Sequence, residues 1–260
     1  MARIYPLFSS SRGNATYIGT PECGILIDAG VSFRRLSLAM ERSGLPLSGI
    51  RAVFVTHDHS DHICGLHTLT ANLQVPVYSQ EKTLRNLIDR DQIAPNATLR
   101  EIHEPVDVCD LQVSAFDTPH DTDQSCGYRV QLSDGRTCAV CTDLGHVTKT
   151  VEQALTGCDL VLLEANYDPQ MLRNGRYPPN VKARIASGSG HLSNPDSADE
   201  AAKLIRSGTT RLVLGHLSQD NNRPAVAEQA VVGGLAGFIR GRDYLLEIAA
   251  PETDGRMIVF

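Results

Sequence analysis

The sequence predicts a single-domain α/β (α+β) fold, and two observations carry that prediction. Short apolar, β-branched runs bounded by turn residues alternate with segments whose apolar residues recur at helical spacing. Several of those runs end in His, Asp or Glu, at the carboxyl end of a strand, where folds of sheets and helices commonly bind ligands. The 260 residues suffice for one large core or two small ones, and no linker, low-complexity segment or internal repeat divides them.

In chain order, strands are expected over 4–8, 15–19 and 24–27, followed by a helix from Ser32 that presents Phe33, Leu36 and Met40 on one face. The turn Ser9-Ser10-Ser11-Arg12-Gly13-Asn14 reads first as a tight turn. Its amides and hydroxyls also suit a phosphate. A buried strand over 50–56 leads into His57-Asp58-His59-Ser60-Asp61-His62, and a helix follows over 63–73 with Ile63, Leu66, Leu69 and Leu73 at helical spacing. Next come a short strand at 75–78, a polar helix over 80–90 and a less regular stretch. An alternating strand at 111–116 then delivers Thr118-Pro119-His120-Asp121. Strands at 127–132 and 137–141 flank Ser133-Asp134-Gly135-Arg136, a hairpin signal, and the second ends in Thr142-Asp143. His146 reads as a surface residue or as a support behind the site. A buried strand at 159–164 ends in Glu164. The stretch 171–185 then carries Arg173, Arg176, Lys182 and Arg184 with no acidic residue and reads as a loop. Gly190-His191-Leu192-Ser193-Asn194 opens a helix with Asn194 as N-cap and Pro195 in the first helical position. A strand at 211–215 ends in His216. The last helix spans about 224–238, with two terminal strands after it.

Composition excludes several function classes. Hydrophobic content of 42% and charged content of 21% are those of an ordinary globular protein. No apolar run approaches the roughly 20 residues of a membrane span, so no membrane partner is expected. A net charge of −6 leaves no global basic field, so contact with a polyanion has to rest on local charge such as the +4 of 171–185. Seven scattered cysteines without a secretory signal at the start point to reduced thiols and a cytoplasmic protein. Cys138 and Cys141 form a C-x-x-C inside a strand. They read as core residues, with a redox or metal role as the alternative.

The stretch 57–62 places four potential metal ligands in six residues. His57 and His59 can point at one ion, whereas Asp61 and His62, adjacent at a helix start, suit a second. This H-x-H-x-D-H motif, with His120, Asp143 and His216 at later strand ends, resembles the metallo-β-lactamase superfamily. That resemblance implies a four-layer αββα sandwich with one or two metals at the sheet edge. It also implies His57, His59 and His120 for one ion, Asp61, His62 and His216 for the other, and Asp143 as the bridge. Asp143 stands where many β-lactamases carry cysteine, which points to the two-metal hydrolases and phosphodiesterases. Glu164-Ala165-Asn166 and Gly190-His191-Leu192-Ser193 resemble segments of the tRNA 3′-processing endonuclease, in which such a Glu–His pair serves the leaving oxygen.

Within the superfamily, the serine turn, 163–168, Gly175-Arg176-Tyr177-Pro178, Lys182-Ala183-Arg184-Ile185, 190–194 and 216–224 look like the YycJ (WalJ/VicX) family. Tyr167 stands where a histidine is usual. The family implies a metal-dependent nuclease, with 5′-to-3′ exonuclease action on DNA as the leading expectation, while RNA as substrate and endonuclease action stay open. The inserted domain of larger RNA-processing relatives is missing. The expected chemistry is a metal-bridging hydroxide as nucleophile, oriented by Asp61, with Glu164 and His191 supplying the leaving-group proton. Zinc or manganese is expected, while nickel and iron also accept these ligands. Candidate substrate contacts are Ser9, Ser10, Ser11, Asn14, Asn166, Arg176, Lys182, Arg184, Ser193, Asn221 and Asn222. The alternatives are a small-molecule phosphodiester or thioester hydrolase and a non-enzymatic, metal-stabilised regulatory protein. Monomer and homodimer both stay open.

Overall fold

The computed structural model describes residues 3–260. Its first half builds one sheet from β1 (Arg3–Ser10), β2 (Gly13–Gly19), β3 (Gly24–Ile27), β4 (Ile50–Phe54), β5 (Val77–Ser79) and β6 (Leu99–Glu101), hydrogen-bonded in that order. Helices α1 (Phe33–Arg42), α2 (Ser60–Ile63), α3 (Leu66–Asn72) and α4 (Glu81–Asp89) lie between these strands in sequence. The second half adds β7 (Val106–Val108), β8 (Leu111–Asp117), β9 (Cys126–Leu132), β10 (Thr137–Cys141), β11 (Leu160–Glu164), β12 (Arg211–Gly215) and β13 (Leu245–Ile248). They are ordered β13-β12-β11-β10-β9-β8-β7. Its helices are α5 (Lys149–Leu155), α6 (Pro169–Asn174), α7 (Pro179–Ile185), α8 (Asn194–Arg206) and α9 (Pro224–Gly234).

Three apolar clusters define the layers. In β3, Ile25 and Ile27 meet residues of the other sheet, while Leu26 packs with Leu36 and Met40 of α1. The same alternation runs through β4, with Ala52 and Phe54 between the sheets and Val53 on the helix side. In β11, Leu160 and Leu162 face the first sheet, while Val161 and Leu163 join Ala201, Ala202 and Ile205 of α8. Every central strand is therefore apolar on both faces, as a strand between two covered surfaces has to be. The result is helix, sheet, sheet, helix: the four-layer αββα sandwich that the sequence predicts. In β10, Cys138 faces the other sheet and Cys141 faces the helices. Residues three apart in a strand point to opposite sides, so this C-x-x-C has no shared site and both thiols are core.

The structure departs from the sequence reading in several places. The helix after the histidine motif is two pieces, α2 and α3. They break at Gly65, whose N–H donates to the Ala29 carbonyl (2.8 Å) and whose Cβ would lie 2.0 Å from the Val31 oxygen. The basic stretch is no loop: Asp168 caps α6, with Pro169 in its first turn, and Pro179 begins α7. Ser193, not Asn194, is the N-cap of α8. The irregular stretch before 111 holds β6 and β7, and one terminal strand, β13, follows α9, with a single bridge between Ile4 and Ile258 beyond it. Cys23 and Cys109 form a disulfide between turns 86 residues apart in sequence, which corrects the expectation that all thiols are reduced. Their partnership depends on the two sheets stacking, a contact no local pattern reveals. Among the described residues, no helix is long and apolar enough to cross a membrane.

Phe54 sits at the centre of the inter-sheet layer, stacked on Tyr78 (4.9 Å between centroids) and edge-on to Tyr128 (5.4 Å). Phe54→Ala is expected to lower unfolding free energy by about 3–5 kcal/mol, read as a lower urea midpoint at unchanged m-value. A loss below about 1 kcal/mol would contradict this packing.

Candidate metal centre and active site

The candidate ligands stand at the carboxyl ends of strands that run the same way within each sheet. β3 and β4 are parallel, as are β10, β11 and β12; β8 reaches the same orientation through two antiparallel pairings with β9. His57 and His59 follow β4, His120 follows β8, Asp143 follows β10, Glu164 ends β11 and His216 follows β12. Among the described residues, five non-glycine residues have positive φ, and three of them lie here: Asp28 (61°), Asp143 (57°) and His216 (54°). A left-handed residue right after a strand turns its side chain across the sheet end, and such strain persists where surrounding structure imposes it. Close approach is also built in. A Cβ on Gly30 would lie 1.7 Å from the Asp61 carbonyl oxygen, so only glycine lets the β3–α1 loop pass beside α2.

The side chains form two adjoining groups of potential ligand atoms, each within 4.8 Å of one another. One is His57, His59 and His120. The other is Asp61, His62 and His216. Asp143 joins them: it groups with His57 and His62 and, from its other side, with His191 and His216. Asp143 lies 3.1 Å from His62 Nε2 and 3.6 Å from His120 Nε2. Two buried atoms, His57 Nε2 and Asp143 Oδ2, have no hydrogen-bond partner, although buried polar atoms are nearly always paired. His59 Nδ1 and His120 Nε2 face each other at 3.2 Å. Lone pairs converging on a common space fit divalent cations, and the donor set of imidazole and carboxylate suits zinc and its neighbours.

A second layer fixes the ring orientations. Asp28 Oδ2 accepts from His62 Nδ1 (2.7 Å), while the same carboxylate accepts from the Thr56 amide (2.8 Å) and hydroxyl (2.9 Å). Glu164 Oε1 accepts from both His216 Nδ1 (2.7 Å) and His191 Nδ1 (2.8 Å), and its Oε2 accepts from the amides of Leu144 and Leu192. His120 Nδ1 donates to the Gly190 carbonyl (2.9 Å), and His57 Nδ1 lies 3.0 Å from the Thr56 hydroxyl. Ligating histidines held this way present the other nitrogen to the ion. Burial opposes charge on His216, but Asp143, Asp61 and Glu164 outweigh it and raise its pKa to about 10. Burial likewise opposes charge on Glu164, yet His191 and His216 bring it down to about 2. His57 is pushed well below the usual range by burial and then by His62, which leaves a neutral imidazole ready to bind metal.

Asp28 is a participant that sequence reasoning missed. Asp-Ala-Gly after an apolar strand reads as a turn, and the available signal was that this strand lies parallel to the histidine-bearing one. Glu164 is completely buried, so it touches substrate only through His191, which is partly exposed at the site entrance. Among the candidate substrate contacts, several spend their polar atoms inward. Ser9 Oγ accepts from the His216 amide (2.8 Å), Ser10 Oγ from the Arg12 amide, and Ser193 Oγ from the Asp196 amide. Asn166 donates to the His216 carbonyl, and Asn222 donates to the carbonyls of Ala165 and Asn166 and to Asn194. Asn14 reaches the metal groups, with Nδ2 3.1 Å from His62 Nε2. Asn221 is buried with its amide nitrogen unpaired. Ser11, Arg176 and Arg184 are exposed, and Lys182 is partly exposed with Nζ on the Arg173 carbonyl. Arg176 lines a surface groove with Tyr177, Gln219 and Arg223. Arg184 pairs with Asp121, and the Ile185 carbonyl accepts from the His191 amide, so α7 abuts the centre. His146 lies at the surface, its Nδ1 on the Gly188 carbonyl.

Comparison with known proteins agrees with this architecture. Residues 24–217 match the beta-lactamase superfamily domain. The chain is 34% identical to a Bacillus anthracis protein named exodeoxyribonuclease YycJ, over 96% of this chain and 95% of that one. It is 30% identical to exodeoxyribonuclease WalJ of Streptococcus pneumoniae, over 95% and 94% of the two chains. The crystal structure of zinc-bound PqqB from Methylobacterium extorquens superposes with a TM-score of 0.75 at 17% identity, covering 100% of both chains, which shows the shared fold. The chain therefore belongs to the metallo-β-lactamase-fold superfamily and, within it, to the YycJ/WalJ family of metal-dependent hydrolases.

Proposed function

We propose that this chain is a dinuclear metal-dependent phosphodiesterase that degrades DNA from the 5′ end. The observation that carries the reading is the pair of ligand groups sharing Asp143 beside an anchored His191, in a chain whose relatives are named exodeoxyribonucleases. His57, His59 and His120 would hold one ion, Asp61, His62 and His216 the other, with Asp143 common to both. Zinc or manganese held there supplies an acidified water as nucleophile and positive charge facing the phosphoryl oxygens.

The remaining work falls to the chain itself. Asp61, partly exposed between His62 and His216, orients the attacking water from its carboxylate. Glu164 is a positioning residue: by accepting from Nδ1 it fixes the His191 ring and leaves Nε2 free to give a proton to the departing sugar oxygen. The basic segment supports a polyanionic substrate, because Arg173, Arg176, Lys182 and Arg184 stand on α6, α7 and the turn joining them, and α7 meets the site through Arg184 on Asp121 and the Ile185 carbonyl on the His191 amide. The 5′-to-3′ direction follows from the family resemblance of the motifs.

Cleavage of linear duplex DNA labelled at the 5′ or 3′ end, with Mn²⁺ or Zn²⁺ added, tests this reading. The expected result is early release of the 5′ label as mononucleotide. Asp61→Ala should abolish release, and His191→Ala should slow it about 10²–10⁴-fold. Release from the 3′ end first would reverse the direction. Inertness on DNA alongside turnover of a small phosphodiester would replace the substrate class. Binding should weaken with salt at a log–log slope no steeper than about −4, since four local cations are available. Asp28→Asn tolerates the left-handed backbone but removes the charge behind His62, so it should lower metal affinity about 10–100-fold in competition with a chromophoric chelator. Unchanged affinity would show that Asp28 is not part of the centre.

A further inference from the structure

Four of the five candidate histidine ligands have their second nitrogen on a hydrogen-bonding partner from the chain: Thr56, Asp28, the Gly190 carbonyl and Glu164. Beside the fifth, His59, lies a carboxylate that neither the family ligand set nor the sequence motif uses. Asp121 follows His120 in the β8–β9 loop. Its Oδ1 is buried without a hydrogen-bond partner, and its Oδ2 is held by the Arg184 guanidinium of α7.

The closest of the site's ring nitrogens to Asp121 Oδ1 is His120 Nε2, at 3.2 Å; His59 Nε2 is farther, at 3.9 Å, too long for a hydrogen bond. His120 Nδ1 faces the Gly190 carbonyl, which can only accept, so the ring proton sits on Nδ1 and Nε2 presents a lone pair. A carboxylate oxygen and an imidazole lone pair 3.2 Å apart repel unless a cation lies against both. Two ligand atoms about 2.1 Å from one ion, at 90–110° to each other, are about 3.0–3.4 Å apart. The Asp121–His120 separation falls in that interval, as does the 3.2 Å between His59 Nδ1 and His120 Nε2.

We infer that Asp121 is a further oxygen ligand of the ion held by His57, His59 and His120. This deepens the dinuclear reading and rests on it. With Asp143 and a water, the first ion then exceeds four ligands. The pair with Arg184 fixes the carboxylate in place and ties the basic helix α7 to the metal.

Cobalt(II) substitution tests the assignment without any turnover measurement. The visible bands of Co²⁺ gain intensity stepwise as its coordination number falls from six through five to four. Wild type, Asp121→Ala and Asp121→Asn would each be loaded with two equivalents of Co²⁺, and their affinities measured against a chromophoric chelator. The expected result is weak, six-coordinate first-site bands in wild type, stronger, five-coordinate bands in Asp121→Ala, and affinity at that site reduced at least about 10-fold. Asp121→Asn keeps the shape and a weaker oxygen ligand; it should lose affinity too and serves if the alanine variant misfolds. Identical spectra and affinities in all three proteins would overturn the inference while leaving the dinuclear reading intact. Lower affinity with unchanged band intensity would also overturn it, because the carboxylate would then act only by steadying His59. A wild type that takes up no Co²⁺ would remove the inference and the proposed function together.

Discussion

The open end of the sandwich depends on one constraint: six imidazoles and five carboxylates, Asp121 at the rim among them, share a space from which water is largely excluded. Buried charges are costly unless paired, and here Asp28, Asp61, Asp143 and Glu164 lie among His57, His59, His62, His120, His191 and His216. Protons alone settle the account badly, since His57 Nε2 and Asp143 Oδ2 stay unpartnered. Cations at the two ligand groups would satisfy both atoms and let each imidazole keep its hydrogen bond on the far side. The left-handed backbone at Asp28, Asp143 and His216 has the same origin, because each residue turns off a strand end into this space.

The centre is also the seam of the two sheets. The first sheet contributes His57, His59, Asp61 and His62, braced by Asp28. The second contributes His120, Asp143 and His216, braced by Glu164. Neither sheet holds a complete group of ligands for both ions. Ser9 Oγ on the His216 amide, and the bridge between Ser10 and Leu217, fasten the seam on the side of the serine turn. Metal affinity is therefore linked to packing of the inter-sheet core around Phe54 and Tyr128, since a site absent from the unfolded chain returns its binding energy as folding energy.

What was legible in the sequence follows from whether a feature is local. The H-x-H-x-D-H stretch, the apolar strands before it and the helix patterns are contiguous, so they are readable, whereas the layer order was implied by the resemblance to the metallo-β-lactamase superfamily. Asp168-Pro169 carried the same cap-then-proline signal as the start of α8, and the charge run nonetheless reads as a loop because its arginines dominate the pattern. Small polar residues before and after strands are ambiguous by nature: Ser9, Asn166 and Asn222 have the composition of a ligand-binding loop, yet their partners include backbone groups brought in by distant segments. The Cys23–Cys109 pairing exists only once the sheets are stacked, and the double duty of Glu164 only once β11 and β12 pair and His191 returns beside them.

An acidic chain that acts on a polyanion has to concentrate its positive charge where the chemistry is, and the fold does so through two short helices. α6 and α7 interrupt the passage from β11 to α8, so the segment bearing Arg173, Arg176, Lys182 and Arg184 is inserted between Glu164 and His191, which meet again through a hydrogen bond. The insertion cannot drift, because the Ile185 carbonyl accepts from the His191 amide and Arg184 grips Asp121 beside His120. At physiological salt the reach of these charges is about 8 Å, so proximity rather than net charge decides what they attract. Arg184 stands within that reach, since its guanidinium holds Asp121, and Arg173, Arg176 and Lys182 share its segment, so a net charge of −6 over the whole chain does not describe the field that a phosphodiester would meet there.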